Sequence, residues 1–184
     1  MSKDIFISYR NDGCSNQFAH RLANDLSGLG YSVYFNPNEQ HSDCFPDRLK
    51  NAVKDCKDFI LVLSPGSIER LVRNDDVDWV REELLTAKEN GKHIIPVLVD
   101  GAVMPARPED MPENLSFLPY VDAIKLPDEY KDSPFTTLLV GLNSKQDGQD
   151  RYKDAFNSNP DYPVDKVFSQ LSEQAKSGDV DAMY

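Results

Sequence analysis

The sequence has 184 residues, a formal net charge of −11, 40% hydrophobic residues and 28% charged residues, which is typical of a globular protein with one full domain and a short remainder. The acidic balance argues against nucleic-acid binding, because phosphate backbones bind to clustered Lys and Arg. The cleanest apolar run, FILVL at 59–63, is much shorter than the roughly 20 residues of a membrane-spanning helix. The N-terminus also does not have the layout of a signal peptide, so we expect a protein without membrane contact.

The cysteines and histidines do not form a recognisable metal-binding pattern. Cys14, Cys44 and Cys56 are odd in number and show no CxxC or Cys/His spacing, and the three histidines are scattered along the chain. We therefore expect reduced thiols in a cytoplasmic protein and no metal site.

Strand-like and helix-like segments alternate over the first three-quarters of the chain. Apolar residues recur at helical spacing between short β-rich runs, and Ser64-Pro65 is typical of a helix cap followed by a first-turn proline. Pro96 cannot donate to a sheet, so it indicates a bulge or an edge-like position. The predicted elements are strands at 4–8, 31–35, 58–63, 93–99 and 122–126, and helices at 15–29, 46–56, 77–90 and 135–142, with a further helix starting at 65.

This alternation predicts an α/β fold with a flavodoxin-like five-stranded parallel sheet, in the order 2-1-3-4-5, flanked by helices. In such sheets ligands bind beyond the carboxyl ends of the strands, at the switch point between the first and third strands. Any site should therefore lie near the loop after the first strand, Ser8-Tyr9-Arg10, and near the segments that follow the third.

The chain divides into three predicted regions. Residues 1–143 form the α/β domain, and the polar residues 144–163 form a linker. Residues 164–184 form a short helical C-terminal extension with an apolar stripe, which should require a further packing partner.

Several functions of this architecture are excluded by the loops. A phosphate-receiver domain requires acidic residues after the first strand and an aspartate at the end of the third, but Ser8-Tyr9-Arg10 and Ser64-Pro65-Gly66 stand there. The segment YRNDGCSN matches neither a flavin-binding loop nor GxGxxG, and the chain has no GxxxxGK motif.

The stretch DWVREEL at 78–84 contains two adjacent acids that helical geometry separates. With about 100° per residue, Val77, Val80, Leu84 and Ala87 form one stripe that faces the sheet. Glu83 falls roughly 80° from the centre of that stripe, at the border of core and cleft, with Trp79 on its face one turn earlier. Glu82, the residue before Glu83, falls close to 180° from the centre of the stripe, in solvent.

Three motifs, in order and on matching elements, resemble the TIR (Toll/interleukin-1 receptor) domain family: DIFISYR in the first strand, LSPG after the third, and DWVREEL in the following helix. The resemblance covers about residues 3–143 and is strongest to the NAD-cleaving class, bacterial members included. The tail LSEQAKSGDVDAMY resembles the start of a Sel-type, TPR-like repeat, which implies protein contacts through a repeat region.

The resemblance implies that Glu83 is the essential catalytic residue, with Trp79 beside it. It places Ser8, Tyr9 and Arg10 along the dinucleotide. Tyr9 also suits packing at the strand end, and Arg10 also suits an ion pair.

The resemblance further places Phe35 near the substrate, although this position equally suits the core. The loop after the second strand, 36–45, would be the assembly loop of the family, with Asn36, Pro37, Asn38 and Glu39 at its start. As an alternative, this loop is a simple connection.

A single carboxylate is chemically sufficient for cleavage of NAD+. Ordinary glycosidases use two carboxyl groups because an alkoxide leaving group must be protonated. Nicotinamide leaves NAD+ as a neutral molecule, so only the positive charge on the ribose must be stabilised, and one carboxylate can do this. NAD+ would then be the substrate and no cofactor would be needed.

The resemblance leaves three functions open. The first is an NAD+ nucleosidase, giving ADP-ribose or a cyclic ADP-ribose product, activated by self-association of TIR domains and acting in bacterial anti-phage immunity. The second is a non-enzymatic adaptor that signals through TIR–TIR contacts. The third is an enzyme that makes a signalling nucleotide for another effector.

Overall fold

A five-stranded parallel sheet with helices on both faces organises the protein. The structure is a computed structural model, and it describes residues 3–35, 45–73, 78–127 and 133–144. The strands and helices, in chain order, are β1 (Ile5–Ser8), α1 (Cys14–Gly28), β2 (Val33–Phe35), α2 (Phe45–Asp55), β3 (Asp58–Leu63), α3 (Pro65–Arg73), α4 (Trp79–Glu89), β4 (His93–Leu98), β5 (Ile124–Lys125) and α5 (Ser133–Gly141). Short 3₁₀ turns lie between β4 and β5.

The strands are arranged in the order β2-β1-β3-β4-β5, and each neighbouring pair is parallel. The predicted flavodoxin-like order is therefore confirmed. Because β1 lies between β2 and β3, the loops that follow β1 and β3 leave the same edge of the sheet side by side. This edge is where sheets of this kind bind ligands.

Strand β1 contributes to two hydrophobic cores, one on each face of the sheet. Ile5 and Ile7 pack with residues of α1 and α5, whereas Phe6 packs with residues of α2, α3 and α4. Successive side chains of a strand point to opposite faces. At the end of β1, Ser8 therefore lies on the α4 face and Tyr9 on the α1 face.

Asp78 sets the start of helix α4. Its Oδ1 accepts hydrogen bonds from the N–H groups two and three residues later, at 3.1 and 3.4 Å, as an N-cap does. Within the helix, Val80, Leu84 and Ala87 are buried against the sheet, which confirms the predicted stripe. Its remaining member, Val77, lies outside the described residues.

Two strands are shorter than their apolar patterns predict. β2 begins at Val33. The Tyr31 N–H donates to the Leu26 carbonyl at the end of α1 (3.1 Å), so it does not take part in the sheet. β5 pairs with β4 only beyond Pro96, so this proline lies before the paired segment. Pro96 therefore has a registered neighbour on one side only, Leu61 of β3.

Asp58 fixes the end of the domain to the amino edge of the sheet. This first residue of β3 is fully buried, and its carboxylate accepts hydrogen bonds from the N–H groups of Asn143 (2.9 Å) and Ser144 (3.0 Å). The Ser144 hydroxyl also donates to it, and His93 Nδ1 lies 2.7 Å from its Oδ1. The first residue of the predicted linker is therefore part of the folded domain, while the rest of that linker and the helical extension lie outside the described residues.

The Asp12 network joins the loops that follow β1 and β3. Asp12 Oδ2 accepts from the hydroxyls of Ser64 (2.6 Å) and Ser67 (3.0 Å), and its Oδ1 accepts from the N–H of Ser15 (2.9 Å). Burial by itself would raise the pKa of this carboxyl, but the hydrogen bonds from Ser64, Ser15 and Ser67 together hold the pKa below its ordinary value of 3.8. The ionised carboxylate therefore links the loops after β1 and β3 at the carboxyl edge of the sheet.

We expect Asp58→Ala to lower the free energy of unfolding by about 3 kcal/mol, because it removes the acceptor of several buried hydrogen bonds. Asp122→Ala removes an exposed carboxylate and should change this free energy by less than about 0.5 kcal/mol. Urea denaturation followed by circular dichroism measures both. Equal stabilities of the two variants would contradict the role given to Asp58.

The contribution of Asp12 should depend on pH. A carboxyl whose pKa is lowered by folding contributes stability above its unfolded pKa, near 4, and this contribution is lost as the pH falls through the folded pKa. The melting temperature of the wild type should therefore exceed that of Asp12→Asn at pH 7 and pH 5, and the difference should shrink below about pH 4. Asp122→Asn is the control, with a small difference at every pH. A difference for Asp12→Asn that grows toward acid would overturn this assignment.

Candidate active site

A hydrogen bond from Ser8 to Glu83 forms the centre of the site. Ser8 is buried at the end of β1, and its Oγ donates to Oε2 of Glu83 at 2.5 Å. Glu83 is half-buried on α4. The carboxylate is thus held at the carboxyl end of β1, next to β3, where the fold is expected to bind ligands.

The two adjacent acids of α4 occupy different environments, as their helical phase predicts. The Glu82 side chain is 48% exposed, and its Oε2 lies 3.9 Å from Nζ of Lys50 on α2. An ion pair this exposed contributes little to stability. Glu83, by contrast, contacts the end of a central strand.

Trp79 and Glu83 share a cleft between α2 and α4. The indole is 37% exposed and lies one helical turn before Glu83. The cleft is lined by Leu49, Lys50, Val53, Trp79, Glu82 and Glu83. The structure therefore brings together the indole and the carboxylate that the sequence placed on one face of the helix.

Arg10 is bound to the start of α4. Its Nη2 forms an ion pair with Oδ2 of Asp78, and only 13% and 8% of the two side chains are exposed. Since Asp78 is also the N-cap, Arg10 links the loop after β1 to the first turn of the helix that carries Trp79 and Glu83. Of the two roles considered for Arg10, the ion pair is present, and it is buried.

Tyr9 and Phe35 lie on the other face of the sheet. Their rings stack with centroids 5.2 Å apart, and His20 on α1 contacts Phe35 edge-on at 4.4 Å. Tyr9 is buried in the core under α1 and α5. The structure thus separates these two residues from Ser8 and Glu83, while Asn36, Pro37, Asn38 and Glu39 lie outside the described residues.

Tyr34 lies near Glu83, although the sequence motifs did not point to it. Its ring stacks on Phe6, with centroids 5.1 Å apart. Burial and the negative charge of Glu83 raise the pKa of Tyr34, while the nearby Arg48 acts in the opposite direction. The signal was present in the sequence, because strand alternation places Tyr34 on the face opposite to Phe35.

The arrangement suits the stabilisation of positive charge on a ligand. A half-buried carboxylate that shares a cleft with an indole attracts a cation both through its charge and through the ring face. Within the described residues, no group of His, Cys, Asp and Glu could hold a metal ion. Nor is any helix in this part of the chain long and apolar enough to cross a membrane.

The protein is similar to two curated NAD-cleaving proteins. It is 32% identical over 131 residues to NAD(+) hydrolase tir-1 of Caenorhabditis elegans, an alignment covering 71% of this chain and 13% of that protein. It is 32% identical over 137 residues to NAD(+) hydrolase SARM1 of Danio rerio, covering 74% of this chain and 19% of that protein. The chain thus spans less than a fifth of the length of either relative.

A solved structure and a family model identify the fold and the family. The metazoan TIR-STING receptor from C. gigas, in complex with 2′,3′-cGAMP, is 22% identical with a TM-score of 0.54, covering 77% of this chain and 40% of that chain. This likeness concerns the fold alone. The family model described as TIR domain matches residues 5–139. Because that match spans most of the chain, the protein belongs to the TIR domain family.

Proposed function

We propose that this TIR domain is an NAD+ glycohydrolase that cleaves the bond between nicotinamide and ribose. The observation that carries the proposal is the Glu83 carboxylate, held by Ser8 at the carboxyl edge of the sheet and sharing a cleft with Trp79. The two relatives named as NAD(+) hydrolases support the same chemistry.

The reaction would proceed by loss of a neutral leaving group. The bond between C1′ of the ribose and the pyridinium nitrogen breaks, and its electron pair leaves with nicotinamide. The positive charge that develops on the ribose is stabilised by Glu83, with Trp79 as a wall of the cleft. Water then adds to C1′ and releases a proton, which gives ADP-ribose.

The second product class differs only in the nucleophile. If a group of the ADP-ribose itself attacks C1′ in place of water, the product is a cyclic ADP-ribose and the enzyme is a cyclase. Both outcomes follow cleavage of the same bond, so nicotinamide release does not distinguish them. Chromatography of the ADP-ribose products does.

The wider setting stays a prediction from the family resemblance. Four predictions belong to this group. They are activation by self-association through the loop that begins at Asn36, partner contacts through a repeat region, a cytoplasmic location and a role in bacterial anti-phage immunity. Since self-association could complete the site, activity should be measured over a range of protein concentrations.

Glu83→Gln should lower nicotinamide release by at least about 100-fold, because the amide keeps the shape of the side chain but removes the charge that stabilises the ribosyl cation. Glu89→Gln is the matched control. It removes the same charge from an exposed position at the far end of the same helix, outside the cleft lining, and should retain activity within about three-fold, because exposed charges act weakly at a distance.

Nicotinamide release from NAD+ is followed by chromatography, with circular dichroism of each variant as a check of folding. Equal losses in the two variants would contradict a special role for Glu83. A wild-type protein that leaves NAD+ intact at every concentration, while still associating with TIR domains, would support the adaptor instead.

Ser8→Ala should lower kcat about tenfold with a smaller change in KM, because Glu83 loses a hydrogen bond that orients it. Ser116→Ala, which removes a hydroxyl bonded locally to the Glu113 carbonyl, is the control and should leave both quantities unchanged. An unchanged kcat in Ser8→Ala would contradict direct support of Glu83 by Ser8.

A further inference from the structure

Tyr34 is placed on the Glu83 side of the sheet by β2. In the register of β1 and β2, Tyr34 lies opposite Phe6, and both belong to the core covered by α2, α3 and α4. Val33 and Phe35, its neighbours in the strand, pack against the other core. Two residues beyond Phe6, on the same face, is Ser8, which holds Glu83.

Stacking fixes the ring of Tyr34. The Tyr34 and Phe6 rings are nearly parallel, at 8°, and Phe6 stacks in turn on Phe59 with centroids 5.4 Å apart. Three rings on β2, β1 and β3 thus form a continuous row under the site. With its ring held in this row, Tyr34 can present its hydroxyl in only a narrow range of directions.

The environment of the hydroxyl locates it between two helices. The charge of Glu83 on α4 and that of Arg48 on α2 both act on it, in opposite senses. Tyr34 is half-buried and packs against the core that α2 and α4 cover, on the same face as Glu83. Burial together with Glu83 keeps it protonated at neutral pH, so it can donate a hydrogen bond.

The fold does not require this hydroxyl. A phenyl ring would make the same stack with Phe6, and no hydrogen bond joins the hydroxyl to the residues that the structure describes. A half-buried hydroxyl is stabilised when a polar group approaches it. The position beside Glu83 makes a ligand in the cleft the natural source of that group.

We propose that Tyr34 is a further substrate-contacting residue, whose hydroxyl forms a hydrogen bond with a hydroxyl of the nicotinamide-bearing ribose next to Glu83. The inference rests on the proposed function, because it takes NAD+ as the ligand. Ribose carries two adjacent hydroxyls. An ionised carboxylate can accept from one of them and a neutral phenol can bind the other.

Tyr34→Phe tests the proposal with the stacked ring kept in place. The variant should lose about 3- to 20-fold in kcat/KM for NAD+, the range of one hydrogen bond, with an unchanged melting temperature. The control is Tyr120→Phe, which makes the same chemical change at a residue that is 77% exposed. If both variants match the wild type while Glu83→Gln is inactive, the inference about Tyr34 is wrong and the proposed function stands.

Deoxy analogues of the substrate identify the contact. Two NAD+ analogues are used, one without the 2′-hydroxyl and one without the 3′-hydroxyl of the nicotinamide ribose. The difference between wild type and Tyr34→Phe should disappear with one of them, since the hydrogen bond is then already absent. A difference that persists with both analogues would overturn contact with the ribose.

A binding measurement separates this inference from the proposed reaction. The proteins are labelled with ¹³C-tyrosine, and the Tyr34 resonance is identified by its absence in Tyr34→Phe. NAD+ is then added to the Glu83→Gln variant, which should bind NAD+ without cleaving it. A shift of that resonance supports the contact, even if the wild type releases no nicotinamide and the hydrolase proposal fails. An unmoved Tyr34 resonance at saturating NAD+ would overturn it, whatever the activity.

Discussion

Strand β1 is the element on which both cores and the candidate site depend. It pairs with β2 on one side and β3 on the other, and its alternating side chains supply the centre of each core. On the face toward α4, the last residue of β1 is a serine and not an aliphatic residue. Ser8 is therefore a polar group at the end of an apolar row, and burial of its hydroxyl is stabilised by the hydrogen bond with Glu83. One short strand thus couples the packing of the sheet to the position of a carboxylate.

Helix α4 is held at its first turns by contacts with three other elements. Arg10, after β1, is paired with the capping Asp78. Arg81 is buried and donates to the Leu71 carbonyl in α3 at 2.7 Å, as cationic side chains at helix C-termini do. With Ser8 on Glu83, these contacts fix the start of the helix in rotation as well as in position. A carboxylate on this turn is preorganised, which is the property that electrostatic stabilisation of a transition state requires.

Periodicity predicted most of this arrangement, because it determines which residues share a face of a strand or helix. The spacing of apolar residues gave the sheet order and the phase that separates Glu82 from Glu83, because burial repeats with the period of each element. The family resemblance grouped Tyr9 and Phe35 with the substrate, and strand alternation places both on the face toward α1. The alternation that places them there also places Tyr34 toward Glu83, and it could have been applied to the short second strand.

Partners distant in sequence were beyond prediction for a different reason. Nothing in DWVREEL shows that its aspartate would be paired with Arg10, 68 residues earlier, because that contact exists only once β1 and α4 have packed. The same holds for Asp58, whose partners Asn143 and Ser144 come from the far end of the domain. Burial of such groups is readable from a pattern, but the identity of the partner is a property of the tertiary structure.

The division of charges around the cleft explains how one carboxylate could act there. Arg10 directs its guanidinium to Asp78, and the ammonium of Lys50 lies near Glu82. Ser8 donates its neutral hydroxyl to Glu83. A neutral donor orients a carboxylate without cancelling its charge, whereas a guanidinium in the same place would oppose the approach of a cation. For a reaction that creates positive charge on a sugar and releases a neutral base, a serine is therefore the better support for Glu83 than an arginine.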